Sequence, residues 1–402
     1  MASKLRIAFL THEPFYPPSG GGSAEAVYLV AEMARRGHEV HVFCPRIDDA
    51  ENIGKKFGIR LHSFNHWHMS RYVRFRNLKY LAYPFFLEHM VAKGAREMKF
   101  DLLVSQHAIS AVAAGRLKRK LAVPVVMNFP DLLTGFMETW RTWLAPRPLV
   151  EALKRFEISM PSRFKADGVL TVSDTLADYF AERGFPCEKI LPIYYGYDAA
   201  KFPFRVQPAP KLPPVIVMHG SFDAHHLGPI AFDAIQFVTR QRPGVVFRFV
   251  GKKTATLEGF LNQGRKQIPD FKFEATGFVS YAEVARHLAD ASVGIVPYEE
   301  STGTHCAFVA KVVEYVASGL PAVATPLKSI QRYFRDDPMV RFSKFDGEDF
   351  GKKIIGWLDE PPQNWQIRAS ESAARVQAEL DWRPLCHKAV DFAEKIAARP
   401  AG

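Results

Sequence analysis

The sequence predicts an α/β protein of two doubly wound domains, and three features carry that expectation. Short apolar runs suited to buried parallel strands alternate with amphipathic helical patterns from residue 5 onward. The alternation stops in a Pro-rich stretch over 205–214 and restarts at Val215. A chain of 402 residues exceeds one ordinary core and fits two domains. The expected organisation is a Rossmann-like domain over 1–204, a linker over 205–214 and a second Rossmann-like domain over 215–382. A C-terminal helix over 383–402 is expected to pack back on the first domain, and the two domains to face each other across a cleft.

Residues 5–11 read as the first strand and 23–36 as a helix ended by Gly37. The segment 38–44 is the next strand, so the chain opens with a strand–helix–strand unit. Further strands fit 101–105, 123–127, 168–172 and 190–193, and Ser173 suits the N-cap of a helix reaching about 183. In the second half, strands fit 215–219, 245–250, 292–297 and 322–325. Helices fit 228–240, 281–290, 306–318 and 383–398.

Composition narrows the class. Apolar residues make up 48% and charged residues 24%, as in globular proteins rather than disordered or fibrous ones. Cys44, Cys187, Cys306 and Cys386 lack metal-ligand spacing and read as reduced thiols, so no metal site is expected. The N-terminus lacks a signal-peptide core, and no run of eighteen apolar residues occurs. The expectation is a cytoplasmic protein, peripheral at the inner face of the plasma membrane.

The net charge of +11 is unevenly placed. Residues 55–120 hold 14 Lys and Arg against 3 Asp and Glu, an excess equal to that of the whole chain. Phe64, Trp67, Met69, Tyr72, Phe75, Tyr80, Tyr83, Phe85 and Phe86 are interleaved with those charges. Such a mixture suits an anionic membrane surface or a lipid-linked phosphate. It also suits single-stranded nucleic acid or a solvated basic face; the membrane is the partner expected, and no nucleic acid.

Several loops suit ligand contact. Gly20–Gly22 sit between the first strand and helix, where glycine lets a phosphate or sugar approach and a helix N-terminus attracts anions. The loop does not match G-x-G-x-x-G, and the second strand ends without an acidic residue, which disfavours a dinucleotide dehydrogenase. His107 after the third strand and Asp131 after the fourth are candidate general bases toward an acceptor hydroxyl; Asp131 equally suits a helix cap, and His107 a structural role. Ser221 lies in the loop after the first strand of the second half. Ser301–Thr304 precede the helix expected at 306–318, where backbone amides would cradle phosphates with Lys311 as cation. Lys311 and Glu314 share a helix face, and Glu314 would accept both ribose hydroxyls.

Order and spacing of these motifs over some 300 residues resemble the nucleotide-sugar glycosyltransferases of GT-B fold, above all the large family 4. The resemblance runs through the Pro17–Gly22 loop, Thr171–Ser173, Ile193–Asp198, Phe249–Gly251, Gly277–Ser280, Ala289–Pro297 and Glu314–Pro321. It implies that Gly21 and Gly22 approach the donor diphosphate or sugar, that Gly277, Phe278 and Val279 hold the base, and that Glu314 holds the ribose. Lys311 matches a lysine that binds donor phosphate in a branch that includes the xanthan-type glucuronosyltransferases. Such enzymes need no metal and no cofactor beyond the nucleotide sugar.

Two positions depart from the family pattern. Family 4 carries Glu-x7-Glu, but the position eight before Glu314 is Cys306, which leaves the sugar and the stereochemistry open. The cationic pair usual after the first strand of the second domain has no counterpart in Gly220–Gly228. The resemblance implies a hexosyltransferase that moves sugar from a nucleotide diphosphate, UDP first, to a lipid-linked or glycan acceptor in bacterial polysaccharide or glycolipid assembly. A nucleotide-sugar epimerase of the same fold and a catalytically silent scaffold are the alternatives.

Overall fold

The computed structural model describes residues 4–18, 21–64, 78–205 and 212–398. Trp67, Met69, Tyr72 and Phe75 of the basic-aromatic segment, Gly20, and 206–211 of the expected linker lie outside the described residues. The chain divides into two compact units. One comprises the described residues of 1–134, 148–194 and 382–402, the other those of 135–147 and 195–381.

The first unit opens with β1 (Arg6–Thr11), α1 (Gly21–Arg35), β2 (Glu39–Pro45), α2 (Ala50–Phe57) and β3 (Arg60–Phe64). It continues with α3 (Leu78–Glu97), β4 (Leu102–Gln106), α4 (His107–Leu121) and β5 (Val125–Phe129). Then come α5 (Arg147–Arg163), β6 (Gly168–Thr171), α6 (Asp174–Glu182) and β7 (Ile190–Pro192). All pairings are parallel, in the order β3-β2-β1-β4-β5-β6-β7. Every residue of β4 and β5 is buried, as expected of parallel strands covered on both faces. Ser173 caps α6 as expected, its Oγ accepting from Leu176 N at 3.2 Å.

The second unit runs β8 (Val215–His219), α7 (Pro229–Gln241), β9 (Val246–Val250), α8 (Ala255–Gln267), β10 (Lys272–Gly277) and α9 (Tyr281–Ala289). It continues with β11 (Val293–Val296), α10 (Thr302–Cys306), α11 (Ala310–Ala317), β12 (Ala322–Ala324) and α12 (Lys328–Phe334). It ends with β13 (Val340–Phe342), α13 (Gly347–Asp359) and α14 (Gln366–Leu380). Its sheet is also wholly parallel, in the order β10-β9-β8-β11-β12-β13. Residues 135–147 and 195–204, which the sequence places in the N-terminal domain, belong to this unit. Phe136 lies against Gly303, and Tyr197 bridges to Asp381.

One expected helix is corrected. The helix expected over 306–318 is α11, which starts only at Ala310; Cys306 is the last residue of α10, and an extended link at Ala307–Val309 joins the two. Neither glycine nor proline marks the break. Its cause is tertiary: Cys306 and Phe308 are both fully buried, and an extended link lets both side chains enter the core.

The final helix, α15 (Trp382–Ala397), belongs to the first unit and packs on α1. Tyr28 stacks on Trp382 with ring centres 5.4 Å apart. Arg36 Nη1 lies 2.6 Å from Asp391 Oδ1 and 3.2 Å from Glu394 Oε2, and His38 Nε2 lies 2.8 Å from Glu394 Oε1. Because Arg36 is largely buried, this network is screened less than a surface pair. A Cβ on Gly168 would stand 2.7 Å from Phe392, so β6 has room for nothing larger. Gly168→Val is therefore expected to displace α15 and cost about 1–3 kcal/mol, read as a lower midpoint in denaturant unfolding.

Candidate active site

In the second unit the strand order reverses between β8 and β11, the place where open α/β sheets hold ligands beyond the strand ends. The loops leaving β8 and β11 meet there with α11. Lys311, in the first turn of α11, donates from Nζ to Tyr298 Oη at 2.7 Å and lies 5.3 Å from the centre of that ring. Gly220 makes this possible, since a Cβ there would stand 2.9 Å from Lys311 Cε. Gly220 also has φ of 100°, a conformation that favours glycine. Desolvation pushes the Lys311 ammonium down to about 8, against the opposing pull of Glu314 and Asp223. The N-terminus of α11 has no side-chain cap, so its positive dipole end adds to the ammonium.

Glu314 does not pair with Lys311. Its Oε1 accepts from Tyr281 Oη at 2.6 Å, and its Oε2 lies 3.1 Å from His219 Nε2. Tyr281 opens α9, two residues after the Gly277–Val279 turn that leaves β10, where Gly277 has φ of 80° and Phe278 is 81% exposed. The structure thus gathers Lys311, Glu314 and Gly220 around the strand reversal, with Tyr281 linking them to Gly277, Phe278 and Val279. Ser221 follows Gly220 and is half-buried. Tyr298, Tyr281 and His219 were not read from sequence; the ends of β8 and β11 were the available signal.

Thr304 requires a correction. Its N–H donates to Ser301 Oγ at 3.0 Å, and its Oγ1 donates to the Glu299 carbonyl at 2.9 Å. Thr302 N and Oγ1 donate to Glu138 at 2.7 and 2.8 Å. The amides expected to cradle a phosphate are therefore already capped. The uncapped helix start lies eight residues further on, at Lys311's own helix.

In the first unit the strand order reverses between β1 and β4. Gly21 and Gly22 are the first residues of α1, so the glycine loop runs straight into a helix N-terminus. His107 opens α4 immediately beyond β4 and is 4% exposed. Its φ of 67° is a left-handed conformation that costs a non-glycine residue about 1–3 kcal/mol. Its ring meets His12 edge-on at 5.1 Å. Asp131 follows β5 and is half-buried, while the amides of Leu133 and Thr134 are taken by Glu157, at 3.0 and 2.8 Å. Beside these lies Glu25, whose Oε1 accepts from Asn128 Nδ2 at 2.8 Å; the same nitrogen donates to Gln106 Oε1 at 2.8 Å. Burial pushes Glu25 up to about 7 despite those bonds. Glu25 carried no sequence signal, since nothing marks it as buried. Among the described residues, no group of three His, Cys, Asp or Glu is placed to hold a metal.

A family model described as a glycosyl transferase 4-like domain matches residues 20–196, and one described as glycosyl transferases group 1 matches residues 213–360. The chain belongs to the GT-B glycosyltransferases of family 4-like type. No curated protein sequence matches this glycosyltransferase. Its fold is similar to that of sucrose-phosphate synthase from Thermosynechococcus elongatus, at 15% identity and TM-score 0.77 over 98% of this chain and 100% of that one. It is also similar to Anabaena HepE in complex with UDP-glucose, at 16% identity and TM-score 0.71 over 98% and 100%. A third similar structure is WaaG, a glycosyltransferase involved in lipopolysaccharide biosynthesis, at 15% identity and TM-score 0.65 over 98% and 100%.

The raised Glu25 gives the glycosyltransferase a pH signature. The folded state binds its proton more tightly than the unfolded chain, so this contribution to stability is full below pH 4.5 and lost as pH rises through about 7. Compared with Glu25→Gln, the wild type should lose stability across that window, by about 3 kcal/mol at most. Denaturant unfolding at pH 4.5 and pH 8 measures it; parallel pH dependences in the two proteins would contradict the assignment.

Proposed function

We propose that this glycosyltransferase moves a hexose from a nucleotide diphosphate sugar, UDP-linked, to a lipid-linked or membrane-surface glycan acceptor in bacterial polysaccharide or glycolipid assembly. One observation carries the reading: a half-buried ammonium, Lys311, neighbours an uncapped helix start and is held by a neutral phenol rather than by its carboxylate neighbour. That arrangement offers positive charge to a diphosphate at little reorganisation cost. Glu314 would take the ribose hydroxyls by exchanging its bond from Tyr281, and exposed Phe278 at the Gly277–Val279 turn would face the base. The UDP-glucose named with HepE and the lipopolysaccharide role named for WaaG support this donor and acceptor class.

Charge on the leaving diphosphate would be taken by Lys311 and the start of α11, so the reaction would run without a metal. The second unit would hold the donor, and the first would receive the acceptor. His107 is the favoured base toward the acceptor hydroxyl, its strained backbone fixing the ring beside the end of β4, with Asp131 the other candidate. The basic last turn of α4 and exposed Leu81, Phe85 and Phe86 on α3 fit a peripheral site at the inner membrane leaflet. No helix among the described residues is long and apolar enough to cross a membrane.

Two measurements test this. Lys311→Ala and Glu314→Ala should each lower UDP release from a UDP-sugar with acceptor at least a hundredfold while leaving the circular dichroism spectrum unchanged. Retained turnover in both would refute the site. Donor affinity should also fall about tenfold per pH unit above pH 8, because the diphosphate binds the protonated Lys311. Calorimetry should find that slope in the wild type and not in Lys311→Met.

A further inference from the structure

Residues 140–147, Trp-Arg-Thr-Trp-Leu-Ala-Pro-Arg, form a small projection of the second unit. It folds on its own backbone: Trp140 N donates to Met137 O at 3.1 Å, and Leu144 N and Ala145 N donate to Arg141 O at 2.8 and 3.1 Å. Buried Ala145 pins the turn, and the chain passes through Pro146 into α5 at Arg147. At the tip Trp143 is 72% and Leu144 55% exposed. Trp143 has no ring or cation partner among the described residues, whereas exposed Phe85 on α3 lies under the Arg116 guanidinium at 4.8 Å.

Charge around the tip has one sign. Arg141 and Arg147 flank it and are exposed. Between Leu132 and Val150 the only carboxylate is Glu138, which is turned to the start of α10 by its bonds from Thr302. The same contact, with Phe136 against Gly303 and 5.0 Å from the His225 ring, anchors the base of the projection rigidly. An indole and a leucine on a fixed turn, ringed by guanidinium groups without counter-charge, match the composition that seats in a headgroup layer.

We propose that this projection docks on an anionic lipid bilayer, with Trp143 and Leu144 entering the headgroup–acyl boundary and Arg141 and Arg147 on lipid phosphates. The inference rests on the membrane-surface acceptor read above and assigns the contact to a segment that the basic-aromatic run of the sequence does not include. Each arginine should be worth about fivefold in partitioning to anionic vesicles, and the two apolar side chains together roughly tenfold or more.

Co-sedimentation of the full-length protein with phosphatidylcholine vesicles, with and without a quarter of phosphatidylglycerol, tests it. The proteins compared are wild type, Trp143→Ser/Leu144→Ser, Arg141→Gln/Arg147→Gln and Leu81→Ser/Phe85→Ser, with UDP-sugar affinity measured on each as a check of folding. Binding of wild type to anionic vesicles, lost in the first two variants with donor affinity kept, is the expected result. Full binding by those variants with loss in Leu81→Ser/Phe85→Ser would overturn the assignment to this projection and leave a membrane acceptor standing. Unbound wild type that still glycosylates a lipid-linked acceptor in detergent would overturn the docking surface alone. Failure of that transfer as well would remove the acceptor reading. A smaller assembly for Trp143→Ser/Leu144→Ser than for wild type in sedimentation, without any change in vesicle binding, would assign the patch to self-association instead.

Discussion

The second unit is organised around a half-buried ammonium whose hydrogen bond goes to a phenol rather than to a carboxylate. Lys311 and Glu314 stand three residues apart on α11, a spacing at which exposed side chains commonly pair. Here they are drawn to different partners, Lys311 to Tyr298 and Glu314 to Tyr281 and His219. Separation keeps both groups available, because a mutual salt bridge would have to be broken before either met a ligand. The consequence is the lowered proton affinity of Lys311, where desolvation outweighs the pull of Glu314 and Asp223. Gly220 is the steric condition for this state, and Tyr298 the polar one.

The first unit stores a different kind of tension. His107 holds a left-handed backbone at the junction of β4 and α4, and the preceding residue, Gln106, is tied through Asn128 to the buried Glu25. A strained residue persists only where its surroundings over-determine it. Parallel pairing of β4 with β1 and β5, and the amide bridge at their ends, supply that surrounding. The bridge joins α1 to two strands at the point where the sheet reverses direction, so the helix that carries Gly21 and Gly22 is fixed to the strand that carries His107.

Much of the fold was legible because parallel strands leave a plain mark. Strands buried on both faces are mostly apolar, and β1, β4, β8 and β11 read that way up to their polar ends. The elements left unassigned in sequence carry weaker marks. Residues of β10 alternate in exposure, and β13 has only three residues. In the site, Lys311 and Glu314 were legible from type and spacing, whereas Tyr298 and Tyr281 became visible only when β8, β10 and β11 were set in order. The break between α10 and α11 was illegible for a related reason: it is imposed by the burial of Cys306 and Phe308, a tertiary demand with no local signal.

That break also explains how the chain accommodates its departure from the family pattern at Cys306. The side chain is fully buried, and the Cys306 carbonyl accepts from Ser329 Oγ at 3.1 Å, so α10 ends by locking onto α12. A carboxylate in that position would be buried without a cation, a cost of several kcal/mol. In this chain the position is a packing position. Around it, Ser301 and Thr304 cap α10 internally, and Glu138 accepts from Thr302 at the same helix start. The uncapped helix start lies eight residues downstream, where α11 begins beside Lys311.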